Sequence, residues 1–252
     1  MISSEVVVVS RHPELAANWP VPVIGYSEVT FLPDAVFLAV PDAQIESVGE
    51  RLSELLSRDV PIFHTSGATP ADRIPDYFLH RGVLWPIRSL RRGEPVTNWR
   101  NLPLVTYALS LVAKSYLAEL AHRLSDTVAY LDDTQRAQLH LAAVFSNNFV
   151  TALYEVSYRL CAEHGIPFEL LLPIIRKTAE AQDGHSPALR QTGAAMRGDH
   201  TTMERHLALL DDETYRKLYR DLSSLIFQYR LPEYHAYLRR NPDDDLQNEG
   251  VA

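Results

Sequence analysis

The chain begins with apolar runs set apart by polar turns. Residues 5–10 (EVVVVS), 21–25, 35–40 (AVFLAV) and 60–65 (VPIFHT) read as short strands. The last two are apolar at nearly every position, as strands covered on both faces are. Between them Ile45, Val48, Leu52, Leu55 and Leu56 follow at helical spacing, and Asp42 is placed to cap that helix. Residues 83–86, 102–107 and 127–130 read as further strands, with a helix over 109–124 between the last two. Strands alternating with helices predict a parallel sheet covered by helices.

The texture changes near residue 133, after which helical periods follow one another without a further strand. The sequence predicts one helix of about eight turns over 134–163, ended by Gly165 and Pro167. Its apolar residues spread around most of the circumference, which suits the middle of a bundle. A second helix is expected over 168–180. A third starts near Thr201, with Thr201 and Glu204 spaced as a capping box, and an amphipathic helix follows over 215–229. The predicted organisation is an α/β, Rossmann-like domain over 1–132, an all-α domain over 133–240 and a solvated tail over 241–252.

Composition narrows the function. With 252 residues, 46% hydrophobic, the chain can bury a substantial core. A net charge of -8 disfavours nucleic acid as partner, although Arg88, Arg91 and Arg92 cluster locally. No apolar run reaches membrane-spanning length and no secretory leader opens the chain, so a cytoplasmic protein is expected. Cys161 is the single cysteine, and the ten histidines show no H-E-x-x-H spacing, so no metal site is expected.

An α/β sheet followed by helices raises the question of a dinucleotide, whose pyrophosphate needs a glycine-rich turn at a helix N-terminus. The ten glycines include no G-x-G pair. T-S-G-A at residues 65–68 is no nucleophile elbow either, which argues against a serine hydrolase.

The motifs HTSG (64–67), WP (85–86), LHLAAVFSNNF (139–149), QTGAAMRGD (191–199) and ERHLALL (204–210) together resemble the Rossmann-like proteins that carry the DUF2520 domain. These are distant relatives of pyrroline-carboxylate reductase and the 6-phosphogluconate dehydrogenase superfamily. The resemblance implies an NADP-dependent oxidoreductase acting on a small carbonyl, imine or hydroxy acid in an interdomain cleft, and a homodimer formed through the C-terminal helices. It also implies that a strand, glycine-rich loop and helix of about 25 to 30 residues would precede EVVVVS. The expectation is therefore a cofactor site that is incomplete in this chain, with weak NADP binding. The competing reading is a non-catalytic small-molecule-binding or scaffold protein.

On this resemblance Ser10 and Arg11 follow the strand whose end meets the adenosine ribose, where Arg11 would hold the 2′-phosphate of NADP. Val40, Pro41 and Asp42, then Thr65, Ser66 and Gly67, follow the next strands and would line the rest of the cofactor site. Plain turn chemistry and helix capping account for the same residues without a ligand. His64 and His140 are the candidate general acids. Asn147 and Asn148, two amides in an otherwise apolar helix, would orient the substrate, with His140 seven residues before Asn147 on nearly the same face. The alternative is a hydrogen-bonded core histidine and interhelical amides. Gln191, Thr192 and Arg197 are the remaining candidates for substrate contact, Arg197 through a carboxylate or phosphate. Asp199 would hold Arg197 or cap the following helix.

Overall fold

A computed structural model describes residues 5–16, 19–90 and 94–231. Arg91 and Arg92, and the proposed tail over 241–252, lie outside the described residues. The chain forms two compact units, Met1–Phe149 and Val150–Ala252.

Among the described residues the first unit holds seven strands in two sheets. Strand β1 (Val8–Val9) pairs in parallel with β2 (Val23–Ile24). A five-stranded sheet follows in sequence order: β3 (Val36–Leu38), β4 (Ile62–His64), β5 (Arg81–Pro86), β6 (Leu104–Ala108) and β7 (Val128–Tyr130). All neighbours are parallel except β5 and β6, which pair antiparallel with Leu84 opposite Thr106. The expected α/β architecture is present, and the reversal is an addition that an apolar pattern does not encode. It puts the carboxyl ends of β6 and β7 at the opposite end of the sheet from those of β3 and β4.

Burial follows strand position. Ile62, Phe63 and His64 of the interior strand β4 are fully buried, as a continuous apolar run predicts. AVFLAV was expected to be covered on both faces, but β3 is an edge strand and Phe37 stays 37% exposed. The run at residues 5–10 shrinks to two paired residues, and Val6 is exposed.

Helix α1 (Ile45–Ser53) covers one face with Ile45 and Leu52 buried. The expected Asp42 cap is not formed: Asp42 opens a short 3-10 turn ahead of α1, and its carboxylate is taken by Ser66. Tyr26 and Val29, beyond β2, join the α1 core, and the Arg51 guanidinium lies 4.1 Å from the Tyr26 ring centroid. Helix α2 (Leu111–Leu124) buries Ala113, Leu117 and Ala121, one stripe at i, i+4 and i+8, and Ser110 caps it by accepting the Ala113 N–H.

The long helix over 134–163 is built in three segments. Helix α3 (Asp133–Ala143) gives way to a π-helical turn (Val144–Phe149), and α4 (Val150–Glu163) follows. Asp132 and Gln135 form a reciprocal capping box at the start of α3. Residues 133–149 belong to the compact unit of the sheet.

Helix α3 is fastened by a charge. Arg136 is fully buried; its Nη2 lies 2.6 Å from Asp133 Oδ1 and also donates to the Thr69 carbonyl. The same Asp133 oxygen accepts the Ala71 N–H at 3.1 Å. One carboxylate thus neutralises the buried guanidinium and satisfies the loop after β4.

In the second unit α5 (Leu172–Glu180), α6 (Ala194–Arg197), α7 (His200–Ala208) and α8 (Glu213–Gln228) follow α4. Residues 168–171 form a 3-10 turn, so the helix expected over 168–180 is α-helical only from Leu172. The predicted Thr201 capping box is replaced by Asp199, whose carboxylate accepts both the N–H and the hydroxyl of Thr202. These bonds hold the Asp199 carboxyl below its ordinary range. Gly198, at a φ of 71°, ends α6 in the left-handed region that glycine adopts without strain. Helices α4, α5 and α7 bury none of their described residues, so α4 does not occupy the bundle centre that its all-round apolar pattern suggested.

Removing one partner of a buried ion pair leaves the other uncompensated. Asp133→Ala is therefore expected to cost about 3 kcal/mol in urea unfolding, and Arg136→Met less, because it removes the buried charge as well.

Candidate active site

Three motifs far apart in sequence meet beyond the carboxyl end of β4. A Cβ on Gly67 would lie 2.5 Å from the Trp85 ring and 2.7 Å from His140 Nδ1. Only glycine allows that approach. Trp85 and His140 pack edge to face with centroids 5.6 Å apart. The HTSG loop, the WP strand end and α3 thus form one wall.

His64 holds the loop together from below. Its Nδ1 accepts the Ser66 N–H at 3.2 Å, so Nε2, 3.2 Å from the Pro70 carbonyl, carries the proton. Burial, reinforced by the Arg136 charge, lowers the pKa to about 4, against the Pro70 hydrogen bond that raises it. His64 is neutral with both nitrogens committed, so the geometry gives it the task of fixing the loop and leaves no proton to deliver.

Ser66 links two of the expected cofactor segments. Its hydroxyl donates to Asp42 Oδ2 at 2.7 Å and accepts the N–H groups of Ala68 and Thr69. Arg11, just past β1, donates to Gln44 Oε1 at 3.4 Å. Ser10 accepts the His12 N–H in the turn before it. Ser10, Arg11, Asp42 and Ser66 are therefore joined through the 3-10 turn that precedes α1, with Val40 and Pro41 leading into it and Thr65 and Gly67 flanking Ser66.

His140 is the histidine left with a nitrogen to offer. Nδ1 is sealed against Gly67 and has no hydrogen-bond partner, while the side chain as a whole is only half-buried. The π-helical turn changes which amide shares its face. At about 100° per α-helical residue and about 80° in the wider turn, Asn148 returns to nearly the direction of His140, whereas Asn147 falls roughly 80° away. Both amides are exposed, so they do not carry the burial cost that sequence alone suggested.

In the second unit, Gln191 donates to the Thr192 carbonyl. Arg197 is exposed, with Asp199 Oδ2 4.0 Å away. The structure thus places these three on the loop and short helix around Gly193.

Sequence reasoning missed Asp133 and Arg136, which set the height of α3 against the loop. The signal was present: Arg136 shares the α3 face of Leu139 and Ala143. Trp85, within the WP motif, is the surface against which Gly67 and His140 pack. Among the described residues no cluster of three metal-ligating side chains occurs, and no helix is long and apolar enough to cross a membrane.

Strands with helical crossovers, followed by a helical unit, define a Rossmann-like α/β protein with an all-α C-terminal region. Residues 105–226 match the family model described as "Domain of unknown function (DUF2520)". Among solved structures it is similar to a "putative NADP oxidoreductase" of Bacteroides fragilis, at 28% identity over 88% of each chain with a TM-score of 0.79. It shares its fold with a Thermotoga maritima protein, at 21% identity over 90% of this chain and 91% of that one, TM-score 0.67. A "putative oxidoreductase" of Mycobacterium avium 104 also shares the fold, at 14% identity over 88% and 90%, TM-score 0.57. No curated protein matches the chain.

Folding keeps His64 neutral down to about pH 4, whereas the unfolded residue takes up its proton near 6.5. The unfolded state therefore binds more protons between these values, and the contribution present above pH 6.5 is lost as pH falls toward 4. Urea unfolding is expected to show about 2 to 3 kcal/mol lost across that window. His64→Gln should be less stable at pH 7.5 and show a flatter profile.

Proposed function

We propose that the protein is an NADP-type oxidoreductase acting on a small carbonyl, imine or hydroxy acid, with His140 as proton donor at the wall formed by Gly67 and Trp85. The observation that carries this reading is the convergence of HTSG, WP and α3 on one half-buried histidine. The similarity to the Bacteroides fragilis protein, described as an NADP oxidoreductase, supports it. Because Nδ1 is sealed, Nε2 is the nitrogen that would transfer a proton, and Asn148 on the same face would orient the substrate, with Asn147 beside it. Gln191, Thr192 and Arg197 remain candidates for holding a substrate carboxylate.

The cofactor site fits at one end only. Ser10 and Arg11 offer a hydroxyl and a guanidinium to a 2′-phosphorylated ribose, and Thr65, Ser66 and Gly67 offer a polar, close-packed loop near His140. Among the described residues no glycine-rich turn is present for the pyrophosphate, and the Asp42 carboxylate stands beside Ser66. The described residues therefore do not by themselves complete a dinucleotide site. A second reading is a non-catalytic small-molecule-binding protein, favoured by the Asp42 carboxylate that already occupies Ser66.

A homodimer is proposed through the helical unit. Leu170, Ile174, Leu189 and Leu209 are 62 to 72% exposed there, against Ala195 and Leu210 as its buried apolar side chains among the described residues. No nucleic acid or membrane partner is proposed.

Fragments test the ribose end without a pyrophosphate bridge. We expect 2′,5′-ADP to bind about tenfold tighter than 5′-AMP, and Arg11→Ala to erase the difference. Equal affinities for the two nucleotides in the unaltered protein would remove the 2′-phosphate role. NADPH fluorescence should titrate only near about 1 mM, and sub-micromolar binding would overturn the incomplete site. Light scattering should give twice the 28.5 kDa chain mass. A monomer would remove the dimer.

A further inference from the structure

The reversed half of the sheet carries a cavity of about 310 Å³, where β6 and β7 end and α2 and α3 begin. Strand β7 stops at Tyr130, opposite Thr106, so β6 runs on to Ala108 with no strand on that side. Leu104 and Ala108 pack toward α2, and Thr106, alternating with Val105 and Tyr107, faces the same way. Thr106, Lys114, Leu117, Tyr130, Asp132 and Gln135 line the space.

Its polar groups are only partly used. Thr106 is 2% exposed and its Oγ1 has no hydrogen-bond partner. A buried hydroxyl left unpaired costs about 1 to 3 kcal/mol, so one at a cavity wall marks a place where a ligand or water completes the structure. Lys114, in the first turn of α2, forms no ion pair with a described residue. Asp132 commits Oδ1 to the Gln135 N–H and leaves Oδ2 without a partner. Tyr130 is fixed by its hydroxyl, 2.9 Å from His122 Nε2, and with Leu117 supplies an apolar wall.

We infer that this cavity is a binding site for a small zwitterion of the α-amino acid class. A single anion or cation would meet one charge of the right sign and one of the wrong sign. A zwitterion satisfies both: its carboxylate pairs with Lys114, its ammonium with Asp132 Oδ2, and the Thr106 hydroxyl hydrogen-bonds between them. At about 30 Å³ per water the volume equals roughly ten waters, room for an aliphatic amino acid of about eight heavy atoms with bridging water. The position agrees with the tendency of open α/β sheets to bind ligands beyond strand carboxyl ends, and the α2 N-terminus beside Lys114 favours the carboxylate. The site is separate from the wall formed by Gly67, Trp85 and His140, and does not depend on the oxidoreductase reading.

Saturation-transfer NMR and calorimetry with L-valine, isobutyrate and isobutylamine test it on the full 252-residue chain. L-valine should bind in the millimolar range or tighter, at least about tenfold more tightly than either singly charged analogue. Lys114→Met and Asp132→Asn should each weaken it by about tenfold or more; asparagine retains the α3 cap, so loss there does not report unfolding. Thr106→Val should weaken L-valine while leaving the ligand-free melting temperature unchanged or raised, since it deletes an unpaired hydroxyl. No transfer signal at about 10 mM L-valine would overturn the inference. So would equal binding of isobutyrate, or affinities unchanged in both charge variants.

Discussion

The site wall depends on one buried charge. Arg136 has no exposed surface, and its neutralising partner Asp133 also takes the Ala71 N–H. Because a guanidinium cannot shed its proton, α3 must stay where Arg136 reaches the Thr69 carbonyl and Asp133 reaches the Ala71 N–H. That fixes His140, one turn further on, against Gly67. The same charge helps keep His64 neutral, and neutral His64 in turn holds Ser66.

The loop over residues 64–70 is consequently over-determined. Its carbonyls at Thr69 and Pro70, its N–H groups at Ser66, Ala68 and Thr69, and the next N–H at Ala71 all have side-chain partners. A loop so held changes little when a ligand arrives, and preorganisation of this kind lowers the cost of binding.

Much of the fold was legible because burial writes itself into residue order. The runs at 35–40 and 60–65 became β3 and β4, and the spacing of residues 45–52 became α1. Strand direction was not legible: LVTYA reads the same in either sense, and the reversal at β6 depends on the path of residues 87–103. The π-helical turn was hidden for a related reason, since VFSNNF has the composition of an interrupted α-helix. Yet that turn shifts Asn148, in place of Asn147, onto the face of His140. At the site, histidines and amides drew attention by residue type. The residues that position them, Arg136 in a polar-looking D-T-Q-R-A-Q and Trp85 through its ring contact with His140, carry their meaning only in three dimensions.

The antiparallel pairing of β5 with β6 also shapes the field around the molecule. In an all-parallel α/β unit every crossover helix starts at one rim, so the positive ends of the helix dipoles gather there. Here α1 begins at one rim, while α2 and α3 begin at the other. The positive ends of the helix dipoles are therefore divided between the two ends of the sheet instead of gathering at one. With a screening length of about 8 Å at physiological salt, the dipole ends at one rim act independently of those at the other.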